Sequence, residues 1–148
     1  MVIEIHYRND HVRELYEKSG IQTDGSAGFD LICVEDVTLN SFGQFQMIDL
    51  GVIIKPPKLH HSLLMPRSST FKKYGIIQTN SIGLIDEDYC GPEDYWMFPS
   101  LYMRHDTTTI KSGTRLVQFI LQKTIPIITS NEYIPKGYSR GGFGSTGD

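Results

Sequence analysis

At 148 residues, 39% of them hydrophobic, the chain is expected to be a single domain over 1–148, long enough to bury a proper core. Its net charge of −3 argues against broad attraction to nucleic acid or an anionic membrane, so phosphates would have to be met locally. No apolar run reaches membrane-spanning length, the start MVIEIHYRND is too polar for a signal peptide, and Cys33 and Cys90 lack metal-site spacing, so a reducing cytoplasmic setting is expected.

Gly is frequent at 14, Ala is nearly absent, and Val, Ile, Thr, Tyr and Phe are plentiful, a bias toward strands and turns. Val2 to Tyr7 alternates as a strand does. Asn9 to Gly20 reads as a short helix: Asn9 or Asp10 caps it, Val12, Leu15 and Tyr16 share a face, and Gly20 ends it. Short apolar runs follow: Gln46 to Lys55 before Pro56-Pro57, Ser62 to Met65 before Pro66, Tyr95 to Met103, and Arg115 to Ile128. Between them, Ser68 to Tyr74 predicts a helical turn closed by Gly75, and Asn80 to Gly83 predicts the turn of a hairpin joining Ile76–Thr79 to Leu84–Ile85. Many short strands with turns between them describe an all-β antiparallel sandwich or barrel.

The chemistry concentrates in Gly83-Leu84-Ile85-Asp86-Glu87-Asp88-Tyr89-Cys90-Gly91. Gly83 permits a sharp turn close to a ligand, Leu84 and Ile85 anchor a strand, Asp86 supplies a held carboxylate, and Tyr89 adds a flat ring. On a strand, Asp86 and Asp88 share a face, so periodicity does not choose between them. Arg67-Ser68-Ser69 precedes the expected helical turn and offers hydroxyls and N–H groups to an anion. Gly141 to Gly147 is glycine-rich but is no P-loop, because a Lys after the last glycine and a following helix are absent.

Five segments in order resemble the motifs of the trimeric dUTPases: Ala27-Gly28-Phe29-Asp30-Leu31, Pro66-Arg67-Ser68-Ser69, Gly83 to Gly91, Gly113-Thr114-Arg115-Leu116-Val117-Gln118, and Arg140 to Gly147. The resemblance implies a distorted jelly roll or β-barrel assembled as a homotrimer with shared active sites. It also implies hydrolysis of dUTP to dUMP and pyrophosphate with Mg²⁺, which would keep uracil out of DNA and supply dUMP for thymidylate synthesis. The implied catalytic residue is Asp86, which holds the water; Asp88 is left as a structural partner, for instance of an Arg. Asn80 and the main chain of Gly83, Leu84 and Ile85 are implied to read uracil, and Tyr89 to pack on the deoxyribose and exclude a 2′-hydroxyl. Arg67, Ser68, Ser69 and Gln118 are implied to meet phosphates, with Arg115 in a structural ion pair. Asp30 is implied to face waters around the Mg²⁺. The segment 139–148 is implied to be a flexible lid, in which Phe143 stacks on the base and Arg140, Gly144, Ser145 and Thr146 grip the γ-phosphate side. Here the chain departs from the pattern: two residues usually separate Arg-Gly from Gly-Phe-Gly. Either the loop is shorter, or Tyr138 takes the Arg position and Arg140 reaches in from a new one. The aromatic stretch Pro92 to Ser112 reads as core or trimer contact, with a binding surface as the other option. A dCTP deaminase of the same fold and a nucleotide-gated regulator of another protein are the competing functions.

Overall fold

The computed structural model describes residues 2–20 and 24–127, with 129, 132, 134, 136 and 137. The implied lid residues Arg140, Phe143, Gly144, Ser145 and Thr146, and Tyr138 with them, lie outside the described residues.

Strand β1 (Glu4–Tyr7) leads into helix α1 (Asp10–Ser19). Asn9 is the cap, its Oδ1 accepting the Val12 N–H at 2.9 Å and so satisfying a donor the helix leaves orphaned. Val12 and Tyr16, one helical turn apart, are the buried face. The Tyr16 hydroxyl donates to the Leu50 carbonyl at 2.7 Å, and burial pushes its pKa up.

The rest is strand: β2 (Phe29–Ile32), β3 (Val37–Leu39), β4 (Phe45–Asp49), β5 (Val52–Lys55) and β6 (His60–Pro66). The single turn α2 (Thr70–Tyr74) precedes β7 (Ile76–Gln78), β8 (Gly83–Ile85), β9 (Met97–Tyr102), β10 (Thr108–Ile110) and β11 (Arg115–Lys123). They form antiparallel sheets ordered β2-β11-β6-β8, β4-β9-β7, β1-β5 and β10-β3. The all-β expectation holds, but among the described residues these sheets do not close into a barrel, since each ends on an edge strand.

The longest strand, β11, organises the core by pairing with β2 on one side and β6 on the other. A register shift between Arg115 and Val117 lets the adjacent Leu116 and Val117 both be buried, which strict alternation forbids. Phe119 then stacks on Phe29 and meets the edge of Trp96, each at 5.2 Å between centroids. Burying side chains of this size contributes roughly 1.5–3 kcal/mol apiece. The Pro92–Ser112 stretch supplies core through β9 and the residue before it: Trp96, Phe98 and Tyr102 are all buried. The run Gln46 to Lys55 is broken at Gly51, whose φ of 66° and packing against Val34 and Val12 exclude a side chain.

The hairpin expected across Asn80 to Gly83 is corrected. Strand β7 pairs with β9 and β8 pairs with β6, so this turn passes between two sheets. Ser81, at φ 62°, makes the left-handed turn, while Gly83 is an ordinary strand residue. Gly83 is glycine for space: a Cβ there would stand 3.2 Å from the Leu64 Cβ and 3.3 Å from the Gln78 Nε2.

Candidate functional site

The departure of β7 and β8 into separate sheets opens a cavity of about 240 Å³ between them. Asn80, Gly83, Leu84, Ile85 and Tyr89 all line it, joined by Gln78 and Trp96. That volume suits a single heterocycle better than a whole nucleotide. Strand β8 ends its sheet, so one edge bonds to β6 and the other keeps main-chain N–H and C=O groups free among the described strands. Such an edge can imitate a base-pairing partner.

Past Ile85 the chain turns: the Tyr89 N–H donates to the Asp86 carbonyl at 3.2 Å, folding Tyr89 back beside β8. Asp86 and Asp88 therefore do not share a strand face, because the strand has ended. Both are exposed. Among the described residues Asp88 makes no ion pair with an Arg, against the role expected for it. The Asp86 carboxylate takes no hydrogen bond or ion pair from described residues and lines an open groove with Lys55, His61 and Glu87. An unengaged carboxylate one residue beyond a fixed edge strand is free to hold water.

The residues expected to meet phosphates are assembled elsewhere. Asp30 on β2 lies directly opposite Gln118 on β11, which lies opposite Met65 on β6. Asp30 receives Arg67 Nε at 2.9 Å and Arg115 Nη1 at 3.3 Å, one guanidinium on each oxygen. The structural ion pair expected of Arg115 is present. Arg67 is fixed further by its N–H to the Leu116 carbonyl at 3.0 Å. Two guanidiniums against one carboxylate leave a net positive charge beside Gln118 and the exposed Ser68. Ser69 occupies the cap position of α2 but makes no side-chain cap bond, so its hydroxyl is not used up as a helix cap.

Two supporting residues escaped the sequence reading. Thr70 is buried and donates from Oγ1 to the Leu116 carbonyl at 2.5 Å, tying α2 to β11. Gln78 is buried and bonds Asn80 through its Nε2 at 2.9 Å. Its one signal was a polar side chain on the inward parity of Ile76-Ile77-Gln78.

These two halves are far apart within one chain. Ile85 pairs with Ser62, so Asp86 stands level with His61, six residues along β6 from Arg67. At about 3.3 Å per residue that is roughly 20 Å, with the β8 direction leading away from Arg67.

No helix among the described residues is long and apolar enough to cross a membrane, and no group of three or more His, Cys, Asp or Glu among them could hold a metal directly.

A family model described as dUTPase matches residues 17–147. The chain is 43% identical over 119 residues to the SPbeta prophage-derived deoxyuridine 5'-triphosphate nucleotidohydrolase YosS of Bacillus subtilis strain 168, covering 80% of this chain and 82% of that one. It is 31% identical over 154 residues to the deoxyuridine 5'-triphosphate nucleotidohydrolase of Shewanella oneidensis, covering 98% and 96%. Among solved structures, a mutant of a Staphylococcus bacteriophage 80alpha dUTPase with dUpNHpp superposes with a TM-score of 0.78 at 18% identity, covering 99% of this chain and 98% of that one. A Streptococcus mutans dUTPase does so with a TM-score of 0.72 at 24% identity, covering 87% and 100%. A dUTPase of phage phi11 of S. aureus, described with a structural Mg(II) ion, gives 0.74 at 16% identity, covering 92% and 100%.

Proposed function

The chain belongs to the dUTPase family and is a dUTP diphosphatase, and from that premise we propose that Asp86 activates the attacking water in a site completed by a second subunit of a homotrimer. The observation that carries this reading is the unengaged Asp86 carboxylate, held one residue beyond the strand edge that lines the base-sized cavity.

Uracil enters between Asn80 and the free edge of β8, where main-chain N–H and C=O groups match its acceptor–donor–acceptor edge. A wrong base leaves a buried group unpaired, at about 1–3 kcal/mol. Tyr89, folded back beside the same strand, packs on the deoxyribose and leaves no room for a 2′-hydroxyl. The sugar and α-phosphate then lie toward Asp86. Asp86 accepts a proton from water as the water oxygen bonds to the α-phosphorus, and the bond to the bridging oxygen breaks to release pyrophosphate. General-base help of this kind contributes roughly 10²–10⁴-fold.

Negative charge grows on the departing pyrophosphate, and the cationic Asp30–Arg67–Arg115 group with Ser68, Ser69 and Gln118 is suited to receive it. Because that group stands about 20 Å from Asp86 in its own chain, the group that serves Asp86 comes from a neighbouring subunit. Mg²⁺ fits as a companion of the triphosphate. Asp30 uses one lone pair on each oxygen for the guanidiniums and keeps others for metal-bound waters, while the net positive charge there gives a bare cation no support. Bound with the triphosphate, Mg²⁺ would neutralise charge and polarise phosphoryl oxygens. The segment 139–148 serves as lid over the filled site.

The test is pyrophosphate release with Mg²⁺ from dUTP, UTP, dCTP and dTTP offered separately. Release from dUTP alone is expected. Bound but unhydrolysed dUTP would instead favour a regulator, and deamination of dCTP a deaminase.

A further inference from the structure

We infer that Gln78 is a specificity-determining residue: it fixes which end of the Asn80 carboxamide faces the base, and so makes the cavity select a carbonyl over an amino group. This rests on the reading of that cavity as the base site.

One group beside Gln78 has a polarity that is not adjustable. The Leu64 main-chain carbonyl only accepts hydrogen bonds. Gln78 Nε2 lies 3.3 Å from it, so the amide nitrogen of Gln78 must face β6; its oxygen there would meet another oxygen. The same nitrogen donates to Asn80 Oδ1 at 2.9 Å. With both hydrogens of Nε2 committed, Asn80 cannot turn over without setting two NH₂ groups against each other. Asn80 is thereby left with Nδ2, a donor, as the end offered to the cavity. Uracil presents a carbonyl oxygen where cytosine presents an amino group. The first is matched and the second repelled.

Two further observations favour function over packing. Gln78 is 7% exposed, yet its Oε1 has no hydrogen-bond partner among the described residues, a desolvation cost that Met or Leu would avoid. The neighbouring Gly83 leaves room for the amide, since a Cβ there would press on Nε2 at 3.3 Å. The strand edge that reads the base is seated against the group that orients Asn80.

The experiment compares dUMP and dCMP binding by calorimetry in wild type, Gln78→Met and Asn80→Ala. Gln78→Met keeps the volume and removes the donor. The preference for dUMP over dCMP should fall about tenfold in Gln78→Met, roughly what one misdirected hydrogen bond is worth, with thermal stability kept or raised. A fall in stability with the preference unchanged would mean Gln78 only packs, and overturns the inference. If Asn80→Ala abolishes the preference but Gln78→Met retains it, this inference fails and the base-site reading stands. If Asn80→Ala also retains it, the main chain of Gly83 to Ile85 makes the selection and this inference fails; if wild type itself shows no preference, the base-site reading fails with it. Should Gln78→Met not fold, the side-chain amide signals of the wild-type chain decide. Gln78 protons should be protected from exchange in the free protein and Asn80 protons only after dUMP is added; Asn80 protection in the free protein overturns the assignment.

Discussion

Two inactive variants of this chain should restore one another. Asp86→Asn removes the proposed general base and Arg67→Ala removes a guanidinium from the proposed phosphate-binding group, and each alone should be slowed roughly 10²-fold or more. The pairing of Ile85 with Ser62 sets Asp86 six residues along β6 from Arg67, about 20 Å at the rise of a strand. One chain therefore cannot bring both to the same α-phosphate. In mixed trimers a complete site needs Asp86 from the Arg67→Ala chain and Arg67 from the Asp86→Asn chain. With equal amounts and random assortment each condition is met half the time, so about a quarter of the sites regain both groups. Against an Asp86→Asn parent slowed 10²–10⁴-fold, the mixture should be roughly 25-fold to 2,500-fold more active. The assay is pyrophosphate release after co-refolding, with native mass spectrometry reporting how many trimers are mixed. Activity no higher than the parents in a preparation shown to be mixed would refute the shared site and return Arg67 to the site of its own chain.

Four other outcomes are expected. Asp86→Asn by itself should keep its thermal midpoint and its dUMP affinity while losing turnover roughly 10²–10⁴-fold, since its carboxylate supports no other described group; turnover within a few-fold of wild type would show the base to be elsewhere. Tyr89→Ala should raise the relative kcat/KM for UTP against dUTP by roughly tenfold, and an unchanged ratio in paired turnover assays would remove Tyr89 from sugar selection. Gly51→Ala should cost about 2–3 kcal/mol in urea unfolding, because the new Cβ meets Val34 Cγ1 at 2.8 Å in a left-handed backbone. Burial pushes the Cys33 thiol from 9.0 up to about 11, so the unfolded chain loses that proton first. This contribution is whole below about pH 9 and disappears as pH rises toward 11, and Cys33→Ala should show a shallower decline in denaturation midpoint over that window.

Much of the local structure and chemistry could be read along the chain. Asn9, the Val12–Tyr16 spacing and Gly20 announce α1, and every feature lies within a dozen neighbouring residues. Asp86 sits in Gly83 to Gly91, where a turn residue, a carboxylate and an aromatic ring already stand close together, and Asn80 lies just ahead of it. The aromatic stretch Pro92 to Ser112 likewise reads as core, and Trp96, Phe98 and Tyr102 are all buried. The turn after Asn80 misled because Asn-Ser-Ile-Gly between two apolar runs has hairpin chemistry, while the choice of partner strand depends on what else needs covering. Strand β9 and strand β6, each distant in sequence, compete for β7 and β8 and win.

What the sequence by itself determined is the strand-rich character and the capped helix, because propensity, capping and periodicity act over a few residues; five motifs in order carried the family. Only the tertiary structure decided that Asp30 is shared by Arg67 and Arg115, that Gln78 holds Asn80 by its oxygen, and that Asp86 and Arg67 of one chain lie toward opposite ends of β6. Those facts follow from strand register between segments as far apart as Asp30 and Gln118, and register is settled by which pairing buries the most apolar surface while satisfying the backbone, a sum over the whole chain that no short window contains.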